Sequence, residues 1–360
     1  MLKKAAALLL VCAGLASWVG CAKTSSRYLY AAIPAANEIV AYREDPNSGV
    51  LTALATSPVS AGTAVQALAL HPSGKFLYAA NSGESDVSLF NISTTTGALT
   101  EAGSRTLVGT SPTLLVMDSA GAFLYVGNIG GVPAISVFSI DASSGALTAV
   151  GSPITIGIVP LNMKLAPSGN VLYVTSASGA GLPGVIEIIS LTAGVPTNFQ
   201  SVQTGQVPSG LAINPAGTYL YVGDAAPDNS FWEYTINSDG SLTGIQGSPI
   251  TETYSNPIGL FIDKSGTFLY AANEGSANLV AFSIGSDGAL SLLTSAGSPF
   301  TANSQPSVIA ADPSGKFLFV GNQASSAMIE SFSVDTSSSA LTSIASYPVG
   351  NTPFSIVVTQ

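Results

Sequence analysis

Residues 71–81 read HPSGKFLYAAN, a Pro-Ser-Gly turn running directly into an apolar, aromatic-bearing segment. Proline presets one backbone angle and glycine supplies positive φ, so the tripeptide turns the chain and the following run leaves it as a strand. The arrangement returns along the whole chain. Turn glycines stand at 74, 121, 169, 217, 266 and 315, with Ser26 in a degenerate first copy, and successive spacings are 47 to 49 residues. A Leu-aromatic pair follows each time: Leu29-Tyr30, Leu77-Tyr78, Leu124-Tyr125, Leu172-Tyr173, Leu220-Tyr221, Leu269-Tyr270 and Leu318-Phe319.

Two further markers keep this register. A Gly-x-Leu-Thr/Ser turn begins at Gly49, Gly97, Gly145, Gly240 and Gly288, with Ser339 substituting in the last copy and Ala193–Pro196 departing in the fourth. A proline precedes another apolar run at Pro112, Pro160, Pro208, Pro257, Pro306 and Pro353. Three markers in phase define seven repeats.

In the second repeat four runs read as strands: Val65–Leu70, Lys75–Ala80, Asp86–Ile92 and Leu99–Thr106. The turns between them suit hairpins, and no mature segment keeps a helical period over three turns. The expected fold is all-β, a seven-bladed β-propeller of four-stranded antiparallel blades. The first repeat starts at a second strand, Arg27–Ala32, and the chain finishes on a spare first strand, Thr352–Thr359. Pairing these two in one blade closes the ring and removes open sheet edges.

Composition agrees with this reading. Only 8% of residues are charged while 46% are hydrophobic, against about 25% charged in a typical soluble domain. Residues 1–20 form a separate object: Lys3 and Lys4 precede the uncharged apolar run Ala5–Gly20. That is the layout of a signal peptide, too short for a stable spanning helix. The run Trp18-Val19-Gly20-Cys21 resembles a bacterial lipobox, which implies lipidation of Cys21; an unlipidated cut after Ala22 is the alternative. The domain plan is therefore 1–20 signal, 21–26 linker and 27–360 propeller.

Loss of the signal removes Cys12, so no internal disulfide and no cysteine metal cluster can form. It leaves eight basic residues against twenty acidic ones. That balance argues against nucleic acid as a partner and against an electrostatic hold on anionic lipid, leaving an acyl chain as the one link to a membrane. The expected address is the periplasm or cell surface, with the chain a monomer and its partner an envelope protein, a glycan or a small molecule. No residue pattern requires a cofactor or a metal.

The LYVGN and LYAAN strands following Pro-Ser-Gly-type turns resemble the lactonase family of seven-bladed propellers and the related YVTN-repeat proteins. The resemblance spans residues 27 to 360, and its motifs specify blades rather than chemistry. It implies lactone chemistry of the kind found in bacterial 6-phosphogluconolactonase and in a fungal cyclase of carboxymuconate.

Loops fall on two faces, because strands alternate in direction. One face carries the turns after first and third strands, and the other carries those after second and fourth. His71, the only histidine, follows a first strand. Other blades hold Asp118, Asn214, Asp263 and Asp312 at that place, so His71 reads as a turn residue in an exposed slot. On the opposite face the second strands end at Ile33, Asn81, Asn128, Ser176, Asp224, Asn273 and Asn322. Six polar residues at equivalent places suggest either turn openers or a ligand-binding rim around the channel mouth.

Glu84, Asp86, Asp228 and Glu274 lie in the same loops. Asp224 and Glu84 are the candidates for activating water, although the spacing matches neither an acid/base pair nor a calcium loop. Arg27, Lys75, Lys164, Lys264 and Lys316 are placed near the His71 face, and Arg105 in an outer strand. With no basic residue expected at the polar mouth, a phosphorylated lactone lacks its usual Arg or Lys. The sequence therefore favours an extracytoplasmic, envelope-anchored binding or scaffold protein. The alternative is a hydrolase opening an unphosphorylated sugar or aromatic lactone with a carboxylate-activated water.

Overall fold

The computed structural model describes residues 26–179, 181–323 and 327–360. The expected signal peptide, Cys21 and all of the linker but Ser26 lie outside them. Seven antiparallel sheets follow one another, and in six of them the strands pair in chain order from the axis outward. In the second blade the order is Val65–Leu70, Phe76–Asn81, Asp86–Ile92 and Leu99–Glu101. The remaining sheet joins the termini: Ser355–Val358 pairs with Arg27–Ile33, in the register Leu29 to Val358 through Ala32 to Ser355. The strand borrowed from the C-terminus thus supplies the innermost position of the first blade.

The sequence markers keep a common phase because they touch. Tyr30, Tyr78, Tyr173 and Tyr221 are buried, and each hydroxyl donates to the carbonyl of the turn glycine one blade further on: Gly97, Gly145, Gly240 and Gly288, at 2.7–2.8 Å. Tyr125 reaches Gly194 at 3.1 Å and Tyr270 reaches Ser339 at 3.4 Å. Phe319 has no hydroxyl to give, and at that junction the Leu51 N–H donates to the Tyr347 hydroxyl at 2.8 Å instead. The turn glycine is required twice over at Gly97, where φ is +71° and a Cβ would stand 2.2 Å from the Tyr28 ring. Between these bonds the blades bury apolar clusters such as Tyr30, Ala32, Leu68, Leu77 and Phe90.

Two details differ from expectation. In five blades the outermost strand is broken into two short pieces, as at Leu99–Glu101 and Thr106–Leu107; Val195–Gln203 and Leu341–Pro348 are continuous. Single 3-10 turns occur at Pro34–Ala36 and Thr294–Ala296. No helix among the described residues is long and apolar enough to cross a membrane.

Candidate functional site

The six expected rim residues do not face the channel mouth. Asn81, Asn128, Ser176, Asp224, Asn273 and Asn322 are all buried, at 0–2% exposure. The amides of the four asparagines staple their blades from within. Asn81 Nδ2 donates to Asp86 Oδ1 at 2.7 Å and Ser88 Oγ at 3.0 Å. Asn128 reaches Ser136 Oγ at 3.1 Å, Asn273 reaches Asn278 Oδ1 at 2.8 Å, and Asn322 reaches Glu330 Oε2 at 3.0 Å. A glycine lies flat on three of these groups, and a Cβ at Gly62, Gly109 or Gly205 would collide with Asn81, Asn128 or Asp224.

His71 is a turn residue, but a buried one rather than exposed. Its Nδ1 accepts the Ser73 N–H at 3.1 Å, which leaves the proton on Nε2 to reach the Gly121 carbonyl at 3.1 Å in the next blade. It fills the place where Asp118 and Asn214 accept local N–H groups at 2.7–2.9 Å.

The two candidate carboxylates are three blades apart in a ring of seven, so no single water can lie between them. Burial pushes Asp224 up to about 6, with Asp228 adding to the rise and the Val207 N–H opposing it. That N–H donates to Asp224 Oδ1 at 2.6 Å, while Oδ2 has no partner. Glu84 is exposed and held below the usual carboxylate range, first by the Thr63 hydroxyl and then by Arg105. Arg105 was expected away from this face; its guanidinium in fact bonds both Glu84 and Glu101. Among the described residues no group of three His, Cys, Asp or Glu side chains is gathered as a metal site requires.

The space lies on the axis. A cavity of ≈460 Å³ is lined by innermost-strand residues of six blades, by Phe354 just before that strand of the first blade, and by Ile129, Val159 and Gln323 from loops of the face where second strands end. It opens on that face. At equivalent places in the ring, Gln66, Thr113, Ser209 and Ser307 bring polar groups, while Leu161, Ile258 and Phe354 bring apolar ones.

One lining residue is ionisable. Lys164 stands four residues beyond Pro160 in the strand Pro160–Leu165, about 13 Å along it at the usual rise per residue. The sequence reading placed Lys164 near the His71 face. It does lie toward that end, two residues before Ala166, and its side chain is exposed to solvent inside the channel with the wall of the ring around it. That enclosure lowers its pKa below the lysine norm by desolvation. The lining has no Asp or Glu among the described residues. A channel-facing lysine with a lowered pKa has a larger neutral fraction than an ordinary lysine, and its charged form can hold a carboxylate.

Comparison with known proteins adds the following. The family described as "Lactonase, 7-bladed beta-propeller" matches residues 21–117, 110–180, 187–304 and 260–358. No curated protein matches the chain. Among solved structures, a candidate 6-phosphogluconolactonase from Bacteroides fragilis is similar at TM-score 0.78 and 19% identity, over 94% of this chain and 99% of that one. The periplasmic gluconolactonase of Pseudomonas aeruginosa gives 0.76 and 18%, over 93% and 99%. A protein from Lactobacillus plantarum gives 0.75 and 18%, again over 93% and 99%. Likeness at these identities establishes the fold alone.

Proposed function

The chain belongs to the lactonase family of seven-bladed β-propellers, and from that premise we propose that it opens a small unphosphorylated lactone in the axial cavity, with Lys164 as the acid–base group. The observation that carries this reading is the lining: among the described residues Lys164 is its one ionisable group, set below a ring of hydroxyl and amide groups. A lysine with a lowered pKa is partly neutral at pH values where an ordinary lysine is fully charged, and can act as a base.

In the reaction, the water oxygen bonds to the lactone carbonyl carbon and one water proton passes to Lys164 Nζ. Ser209 and Ser307 already donate to the Val207 and Gly321 carbonyls at 3.3 Å, which leaves Thr113 and Gln66 of the ring to donate to the oxyanion. The ring C–O bond then breaks, and the Lys164 ammonium returns its proton to the departing alkoxide. The product acid ionises beside the lysine. A single lysine without arginine suits a carboxyl group better than a phosphate. Asp224 and Glu84, the alternatives read from sequence, are sealed by Gly205 and tied to Arg105 respectively, which weighs against a carboxylate base.

The gluconolactonase-like neighbours weigh on the same side, against an envelope scaffold. The apolar leader and the likeness to a periplasmic protein support a place outside the cytoplasm. Anchoring through Cys21 belongs to the same proposal, and loss of labelled-lipid incorporation in Cys21→Ser tests it. The functional test is a pH-stat assay of the purified protein on sugar, alkyl and aryl lactones, each against its spontaneous rate. The reading expects turnover that Lys164→Met removes and Glu84→Gln leaves unchanged. No rate above background on any lactone overturns it.

A further inference from the structure

The cavity mouth is built for hydrocarbon. Phe354 and Val159 line it with 47% and 46% of their surfaces exposed. Ile129, Leu161 and Ile258 stand beside them, between the mouth and Lys164. Val132 and Leu182, in loops of this face, and Leu107, at the end of the outer strand piece Thr106–Leu107, are further exposed apolar residues outside the cavity lining. Scattered surface hydrophobics need no explanation, but a group of them at the rim of a cavity marks a binding surface.

Part of the polar lining is spent on the protein itself: Ser209 and Ser307 donate to the Val207 and Gly321 carbonyls, which leaves Gln66, Thr113, Gln323 and Lys164 for a ligand. Each sugar hydroxyl wants a fixed donor or acceptor, and no carboxylate lines the space among the described residues. The Asn162 amide is already spent, donating to the Ser209 carbonyl at 2.9 Å and accepting the Met163 N–H at 2.8 Å. Apolar side chains at the mouth would leave such hydroxyls unpaired, at a cost in affinity. A ligand with one carboxyl or lactone group and an alkyl body satisfies both ends: the polar group meets Lys164, and the chain lies along Leu161, Ile258, Val159 and Phe354.

We infer that the ligand is amphipathic: an alkyl-substituted lactone, whose product is a hydroxyalkanoate held head-down on Lys164. This rests on the reading that the axial cavity is the ligand site, and it narrows the substrate class.

The test is calorimetric titration of the purified protein with butanoate, hexanoate, octanoate and decanoate below their micelle concentrations, and with gluconate. Affinity should rise about fourfold per added methylene until the cavity is filled, with octanoate at least tenfold tighter than gluconate. Phe354→Ser and Val159→Ser, both at exposed positions, should each weaken decanoate severalfold and leave butanoate within twofold. Lys164→Met should weaken every alkanoate but not decanol. A flat chain-length series, or gluconate binding as tightly as octanoate, overturns the inference. Turnover of δ-decalactone and glucono-δ-lactone separates the two claims. A steep alkanoate series without turnover of either lactone sinks the hydrolase reading and keeps the amphipathic ligand. Lysine-dependent turnover of the sugar lactone with a flat alkanoate series does the reverse.

Discussion

Replacing Glu44 by glutamine should stabilise the protein above neutral pH and leave it unchanged near pH 4. Glu44 is 1% exposed at the junction where the last blade meets the first. Arg27 spans that junction, but its guanidinium sits 2.6 Å from Asp312 Oδ2 and 3.5 Å from Glu44 Oε1, and Glu44 Oε2 has no partner among the described residues. Burial first, then the Asp312 charge, push Glu44 up to about 7, with Arg27 opposing. A carboxyl of raised pKa binds its proton more tightly when folded. Folding stability is therefore fully retained below the unfolded value near 4.5 and falls as pH rises toward 7. Ionising this group in place costs about 3 kcal/mol. Glutamine keeps an acceptor for Arg27 and carries no charge, so Glu44→Gln should recover most of that by pH 8. For a chain of this length the gain corresponds to about 4 °C in Tm. Paired unfolding curves at pH 4 and pH 8 check it. Equal effects at the two pH values, or a loss at pH 8, would refute the reasoning that the ring closes over a strained carboxyl.

Three other substitutions follow from the same structure. Asp224→Asn should stabilise the protein above pH 6, because Asp224 is raised to about 6 and four other blades hold asparagine at that place; urea titrations at pH 5 and pH 8 measure it. Lactone turnover should be untouched by this change. Tyr78→Phe should cost about 1 kcal/mol through loss of one interblade hydrogen bond, read as a lower denaturation midpoint with an unchanged slope. Lys164→Met should lower lactone kcat by about a hundredfold or more. The wild-type kcat should rise with pH through a value below that of ordinary lysine, since the base form is the active one, and a pH–rate profile shows whether it does.

The blades were legible because their markers are one mechanism. Tyr78 and Gly145 must keep their spacing to bond each other, so the repeat survives in residue identity. The site was less legible. Asn81 and its equivalents are residue types that open turns, and the sequence cannot distinguish a side chain turned outward from one stapled under Gly62. Lys164 was read at the correct end of its blade, two residues before Ala166, but its entry into the channel was not legible. The register of Pro160–Leu165 against Val171–Ser176 shifts between Pro160 and Asn162, which upsets simple alternation along the strand. Innermost strands are enclosed on both sides, so hydrophobicity gives no second indication of direction. Arg105 reaches Glu84 because the outermost strand breaks between Glu101 and Thr106, where Gly103 takes a φ of +69°.

The central claim is that Lys164 meets the reacting carboxyl group in the axial cavity. Reductive ¹³C-methylation of the lysines, followed by NMR titration with and without a hydroxy-acid product, tests it most directly. One resonance, absent in Lys164→Met, should titrate below the others and move to higher pKa when the carboxylate product binds. A protein that turns over lactone while this resonance ignores the product would place the chemistry elsewhere and contradict the account.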